Sequence, residues 1–291
     1  MQLDIFEHSR DVMLRNDVVQ ALENYDAAAA RAACERLARE LPQDASLPEL
    51  KSLADAVDFG ERQMFGDHQA LQLARQSLQQ TVRPAALGTF GNTADTWLSR
   101  LWQELAERAA PLAFSPAFAS EHAAPLWLLA GHWQAAEQAV TRIESWRRIP
   151  APLAWMVEAR LHRVGLQATW PLLAELAWLS PRRLGELVPR SPDPLLPPLM
   201  RKFEADFEAA GSDSDSDIAW FPAWVLTEWP DAARHLAPAQ ASQHSAPEQG
   251  MRLLVELLGL ERQGRHHDIV NRRKALRDLQ PSLFKAYMRT R

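Results

Sequence analysis

Apolar residues recur along this chain every three or four positions, the period of an amphipathic helix. Leu14, Val18 and Leu22 share one face; Ala30, Ala33, Cys34, Leu37 and Leu41 share another. The same spacing returns in Leu71, Leu73, Ala74 and Leu78, and in Trp97, Leu98, Leu101, Trp102 and Leu105. It continues through Ala136, Ala139, Val140 and Ile143, through Leu153, Met156 and Ala159, and through Trp170, Leu173, Leu176 and Trp178. Near the C-terminus Leu254, Leu257 and Leu258 precede Ile269 and Leu276, and a short last helix holds Leu283, Phe284 and Tyr287. The first helix is predicted to be capped at Ser9 or Asp11 and to run to Glu23.

The runs are punctuated. Asn24 leads to Pro42, Gly66 to Pro84, Gly131 to Pro150, Gly165 to Pro181 and Gly264 to Pro281, each 16 to 19 residues apart. A residue that tolerates a left-handed backbone turns the chain, and a Pro that cannot continue a helix closes the unit. The expectation is an all-α protein of stacked αα-hairpins, an irregular α-solenoid. Pro171 is expected in the first turn of its helix. Residues 1–8 form an N-terminal peptide, 9–190 the hairpin region, 191–250 Pro-rich and acidic loops with intervening helices, and 251–291 a basic C-terminal hairpin. Residues 237–250 read as a linker, and the Asp213, Asp215, Asp217 alternation as an acidic loop.

Gly131, Ala136 and the Ile149-Pro150 step resemble the tetratricopeptide repeat, with its small turn residue, small second-helix residue and closing Pro. Gly264 and Pro281 follow the same scheme, with Ile269 in place of the small residue. The resemblance covers about half the chain and implies a groove for protein partners.

Composition adds limits. Twenty Pro against eleven Gly, with few Val, Ile, Thr and Tyr, favour helix over strand. A net charge of −5 gives no general attraction for nucleic acid. Cys34 is the single cysteine, so no intrachain disulfide forms. The N-terminus has neither the basic nor the apolar segment of a secretory signal, and no apolar run is long enough for a bilayer. A bacterial, cytoplasmic location without membrane attachment is expected.

No catalytic or metal-binding motif is present, so neither enzyme activity nor a cofactor is expected. His266 and His267 point about 100° apart on a helix and do not share a metal. Three candidate contacts remain. Trp146-Arg147-Arg148 combines residue types that anchor interfaces. Arg265, Arg272, Arg273, Lys274 and Arg277 belong to a C-terminal stretch with nine cations against three carboxylates, suited to phosphate or an acidic partner. Finally, Gln2-Leu3-Asp4-Ile5-Phe6 resembles the bacterial sliding-clamp-binding motif, with Ile5 replacing its Leu. That resemblance implies an extended peptide whose Leu3 and Phe6 fill apolar pockets of a clamp. The expected function is a helical adaptor for protein partners. The alternatives are a nucleic-acid-associated factor and an enzyme whose site is assembled from distant residues.

Overall fold

The structure, a computed structural model, describes residues 2–58, 63–207, 217–240 and 244–291, with side chains from Arg10 onward. Every regular element among them is helical, as the punctuated amphipathic runs require. The chain divides into two compact units, Met1–His132 and Trp133–Arg291.

In the first unit α1 (Gln2–Glu23) and α2 (Ala27–Glu40) form an antiparallel hairpin, shown by the Arg10–Glu40 and Asp17–Arg36 ion pairs. Tyr25 turns the chain with φ +53°, and Asp26 caps α2 by accepting from the Ala29 N–H at 2.9 Å. The hairpin buries Val18, Leu22, Ala30, Ala33, Cys34 and Leu37, while Leu14 and Leu41 of the same pattern are half-buried. No cap lies at Ser9 or Asp11, because α1 begins at Gln2. α3 (Leu47–Ala56) follows, then α4 (His68–Ser77), a π-helical turn (Leu78–Val82), α5 (Arg83–Phe90), α6 (Ala94–Ala109) and α7 (Ala123–Leu129).

Three expected punctuation marks act differently here, the first being Asn24, whose left-handed role falls to Tyr25. Asp67 caps α4 through the Ala70 N–H, and Gly66 does not have a positive φ, so it is not the left-handed pivot of a tight hairpin. Pro84 sits in the first turn of α5, directly after the π turn, and closes nothing. Pro150, Pro181 and Pro281 likewise occupy first turns. Their missing N–H groups have no helical partner at that position, so one residue ends a unit and starts the next.

The second unit holds α8 (Trp133–Thr141), a 3₁₀ turn (Trp146–Arg148) and α9 (Pro150–Leu179). α9 is two helices in series. Gly165 breaks it at φ +80°, ψ 178°, a conformation nearly confined to glycine. Arg147, just before the helix, reaches Glu175 at 2.5 Å. A straight helix would hold positions 150 and 175 roughly 38 Å apart, so the chain folds back at Gly165 into the expected hairpin. Pro171 lies inside the returning helix rather than in its first turn, which begins at Leu166. Its missing N–H therefore leaves one carbonyl without its usual partner.

Then come α10 (Pro181–Leu187), α11 (Leu196–Asp206), α12 (Phe221–Glu228) and α13 (Ala233–Leu236). α14 (Ala246–Gln263), α15 (His266–Leu279) and α16 (Pro281–Arg289) complete the unit. α14 starts inside the expected linker. Ser245 accepts from the Glu248 N–H, and the Glu248 carboxylate accepts from the His244 N–H. This resembles a capping box, with the return bond one residue earlier. Gly264, at φ +69°, ends α14 and turns it into α15, as predicted. The acidic stretch 213–216 lies outside the described residues.

Tryptophan fills this interior. Trp170, Trp178 and Trp224 are buried with indole N–H groups that meet no acceptor among the described residues. Each costs about 1–3 kcal/mol of lost hydration, opposed by the large apolar area of the ring. Phe203 stacks on Phe207 and meets Phe221 and Trp224 edge-on.

Candidate functional site

A trough of about 360 Å³ runs along the outer side of the α1–α2 hairpin. Its first wall is Asp17, Gln20 and Asn24, spaced three and four residues apart on α1. Ala29, Ala32 and Ala33 make the floor, with no side chain longer than a methyl group, and Arg36 stands opposite Asp17 at 3.4 Å. That pair is exposed on both sides and holds the trough only weakly. The Gln20 and Asn24 carboxamides make no hydrogen bond among the described residues. Each offers a donor and an acceptor, the complement of a peptide backbone. A second hollow of about 380 Å³ lies on the polar face of α6. Part of its polar lining is engaged: Ser99 donates to the Ala130 carbonyl at 2.6 Å, and Gln103 to Glu107 at 2.9 Å.

The backbone of Gln2, Leu3, Asp4, Ile5 and Phe6 is helical, within the first two turns of α1. Their side chains lie outside the described residues. The hairpin register sets Arg10 opposite Glu40, the last residue of α2. Residues 2–9 thus run on beyond the end of that partner helix.

Trp146-Arg147-Arg148 forms the 3₁₀ turn before α9. Arg147 is consumed internally, donating through Nε and Nη2 to both oxygens of Glu175 at 2.5 and 2.6 Å. Glu175, 3% exposed, also accepts from the Gln240 backbone N–H at 2.7 Å. Trp146 is half-buried and Arg148 exposed.

The C-terminal cations are mostly paired. Arg265 meets Asp268, Arg272 meets Glu256, Arg273 meets Glu261, Arg277 meets Asp278, and Arg289 meets Asp206 and Glu228. Glu256, Asp206 and Glu228 fall outside the window in which sequence counted the charge. Arg273 also donates to the Tyr287 hydroxyl, which donates to Glu261. Lys274 is exposed and has no carboxylate partner among the described residues.

Groups with chemical potential are few. Cys34 is 2% exposed and burial pushes its thiol up, so it packs as a protonated, apolar side chain. His122 is buried and lowered to about 4, first by loss of water and then by the nearby His68. Its Nδ1 caps α7 by accepting from the Ala124 N–H at 3.1 Å. Among the described residues no three His, Cys, Asp or Glu side chains gather as a metal site, and no helix is long and apolar enough to cross a membrane. No known protein family, curated protein or solved structure matches this chain.

Proposed function

We propose that the protein is a helical adaptor that holds an extended segment of a protein partner in the α1–α2 trough. The carrying observation is the alanine floor bordered by the uncommitted carboxamides of Gln20 and Asn24. Small floor residues let a peptide backbone approach closely, and the amides replace the hydrogen bonds it loses to water. A photo-crosslinking residue at position 29, in the trough, should capture one defined partner in the native host. The same group at Glu35, exposed on α2, should not. Capture should fall when Gln20 and Asn24 are both changed to Ala. Equal capture at both positions rejects the reading.

Gln2–Phe6 acts in this reading as a second tether, to a sliding clamp. The helix overhang beyond α2 supports it, since unwinding residues 2–9 leaves the described ion pairs of the hairpin in place. Two weak contacts on one chain raise the effective concentration of each. Binding of the full chain to a sliding clamp should be lost in Gln2→Ala/Phe6→Ala; binding that ignores both changes, or none by the wild type, removes the clamp from the scheme. The paired state of Arg265, Arg272, Arg273 and Arg277 weighs against the nucleic-acid alternative.

A further inference from the structure

A smaller hollow, of about 180 Å³, opens in the first unit between α4, the π turn and α6. Four buried aliphatic side chains line it: Leu78, Val82, Leu101 and Leu105. Leu78 and Val82 are the first and last residues of the π turn. A π turn carries an extra residue and a wider backbone than an α turn, and such turns concentrate at functional sites. By volume, this open hollow has room for a ring or a six-carbon chain.

Arg108 is the charged group at this hollow. Its guanidinium is already fixed: Nε donates to the Gln63 carbonyl at 2.9 Å, and Cζ lies 4.2 Å over the Phe65 ring. Both Nη groups lack an acceptor among the described residues. Arg108 lines the hollow, and its held but open Nη groups would complement the anionic head of a molecule whose apolar tail the aliphatic floor takes.

We propose that this hollow binds a small hydrophobic monocarboxylate, with its tail against Leu101 and Leu105 and its carboxylate on the Arg108 Nη groups. This site is separate in its residues from the peptide trough and does not depend on it.

Calorimetric titration of the full chain tests the assignment. Hexanoate and benzoate should bind saturably, and hexylamine, with the same tail and opposite charge, at least about tenfold more weakly. Arg108→Gln should weaken hexanoate by about tenfold or more while leaving 1-hexanol unchanged. Ala74→Phe, at the half-exposed edge of the hollow, should block both. Equal binding of hexanoate and hexylamine by the wild type overturns the proposal, as does the absence of saturable hexanoate binding. These comparisons use the unaltered chain and so do not depend on any variant folding.

Discussion

Tyr25 and Trp97 tie the α1–α2 turn to α6 through two hydrogen bonds running in opposite directions. The Tyr25 hydroxyl donates to the Trp97 carbonyl at 2.6 Å, and the Trp97 indole N–H donates to the Leu22 carbonyl at 2.9 Å. Their rings are nearly parallel, 5.8 Å apart, and Arg100 lies over the Tyr25 ring at 4.5 Å. The turn at one end of the α1–α2 trough is thereby fastened to α6. Tyr25→Phe should cost about 1 kcal/mol. Trp97→Ala should cost about 3–5 kcal/mol, since it removes a buried ring as well as the bond. Urea unfolding of the two variants measures both, and equal losses would show that packing does not separate them.

His122 makes the stability of the first unit depend on pH. Its proton affinity falls to about 4 in the fold against 6.5 in the unfolded chain. The unfolded state therefore takes up the proton first as pH drops. Stability is complete above the unfolded value and declines through the window from 6.5 to about 4, by on the order of 3 kcal/mol. The protonated ring would also turn an N–H toward the Ala124 N–H it now accepts from. His68 adds repulsion, while Glu121, paired with Arg75 at 3.1 Å, is the neighbouring carboxylate. His122→Asn retains an acceptor for the cap without a titrating ring. Its melting temperature should change less between pH 7 and pH 4.5 than that of the wild type.

Glu175 should be among the least replaceable polar residues. Glu175→Ala leaves Arg147 without its bidentate partner and the Gln240 N–H without an acceptor. The expected loss is about 3–5 kcal/mol. Arg147→Met/Glu175→Leu should recover much of it, because an apolar pair needs no desolvated charge. Chemical denaturation of the single and double variants tests the order.

Two glycines of α14 should respond to alanine with opposite signs. At Gly259 a new Cβ meets nothing within 4 Å, so Gly259→Ala should stabilise by about 0.5–1 kcal/mol through helix propensity. At Gly250 it would lie 2.8 Å from the Trp220 ring and 3.2 Å from Leu283. Gly250→Ala should destabilise by about 1–3 kcal/mol despite the same propensity gain. Thermal melts of the two proteins check the reversal.

Much of this was legible in the chain itself because it depends on neighbours three, four or a few residues away. Leu14 was assigned to the inner face but is only half-buried, whereas Val18, Leu22 and Leu37 are fully buried as their spacing required. Gly165 and Gly264 turn the backbone because only glycine takes such φ values cheaply. The start of α14 was also written locally, in Ser245-Ala246-Pro247-Glu248, but Pro and Ser density made it read as linker. Gly66 and Pro84 misled because the same residue types serve a loop, a cap or a first turn, and only the surrounding backbone chooses among them.

Tertiary structure alone decided which charges and cavities remain for a partner. A run of cations looks open until carboxylates from distant helices are brought beside it, as Asp206 and Glu228 are to Arg289. Arg147 became an internal strut, half-buried on the buried Glu175, for the same reason, its partner being 28 residues away. The alanine floor is written in the small residues of 27–33, but the free amides set beside it, and the hollow beside Arg108, have no linear signature. Both are made by side chains from separate helices, and the space between helices is set by packing rather than by the order of residues.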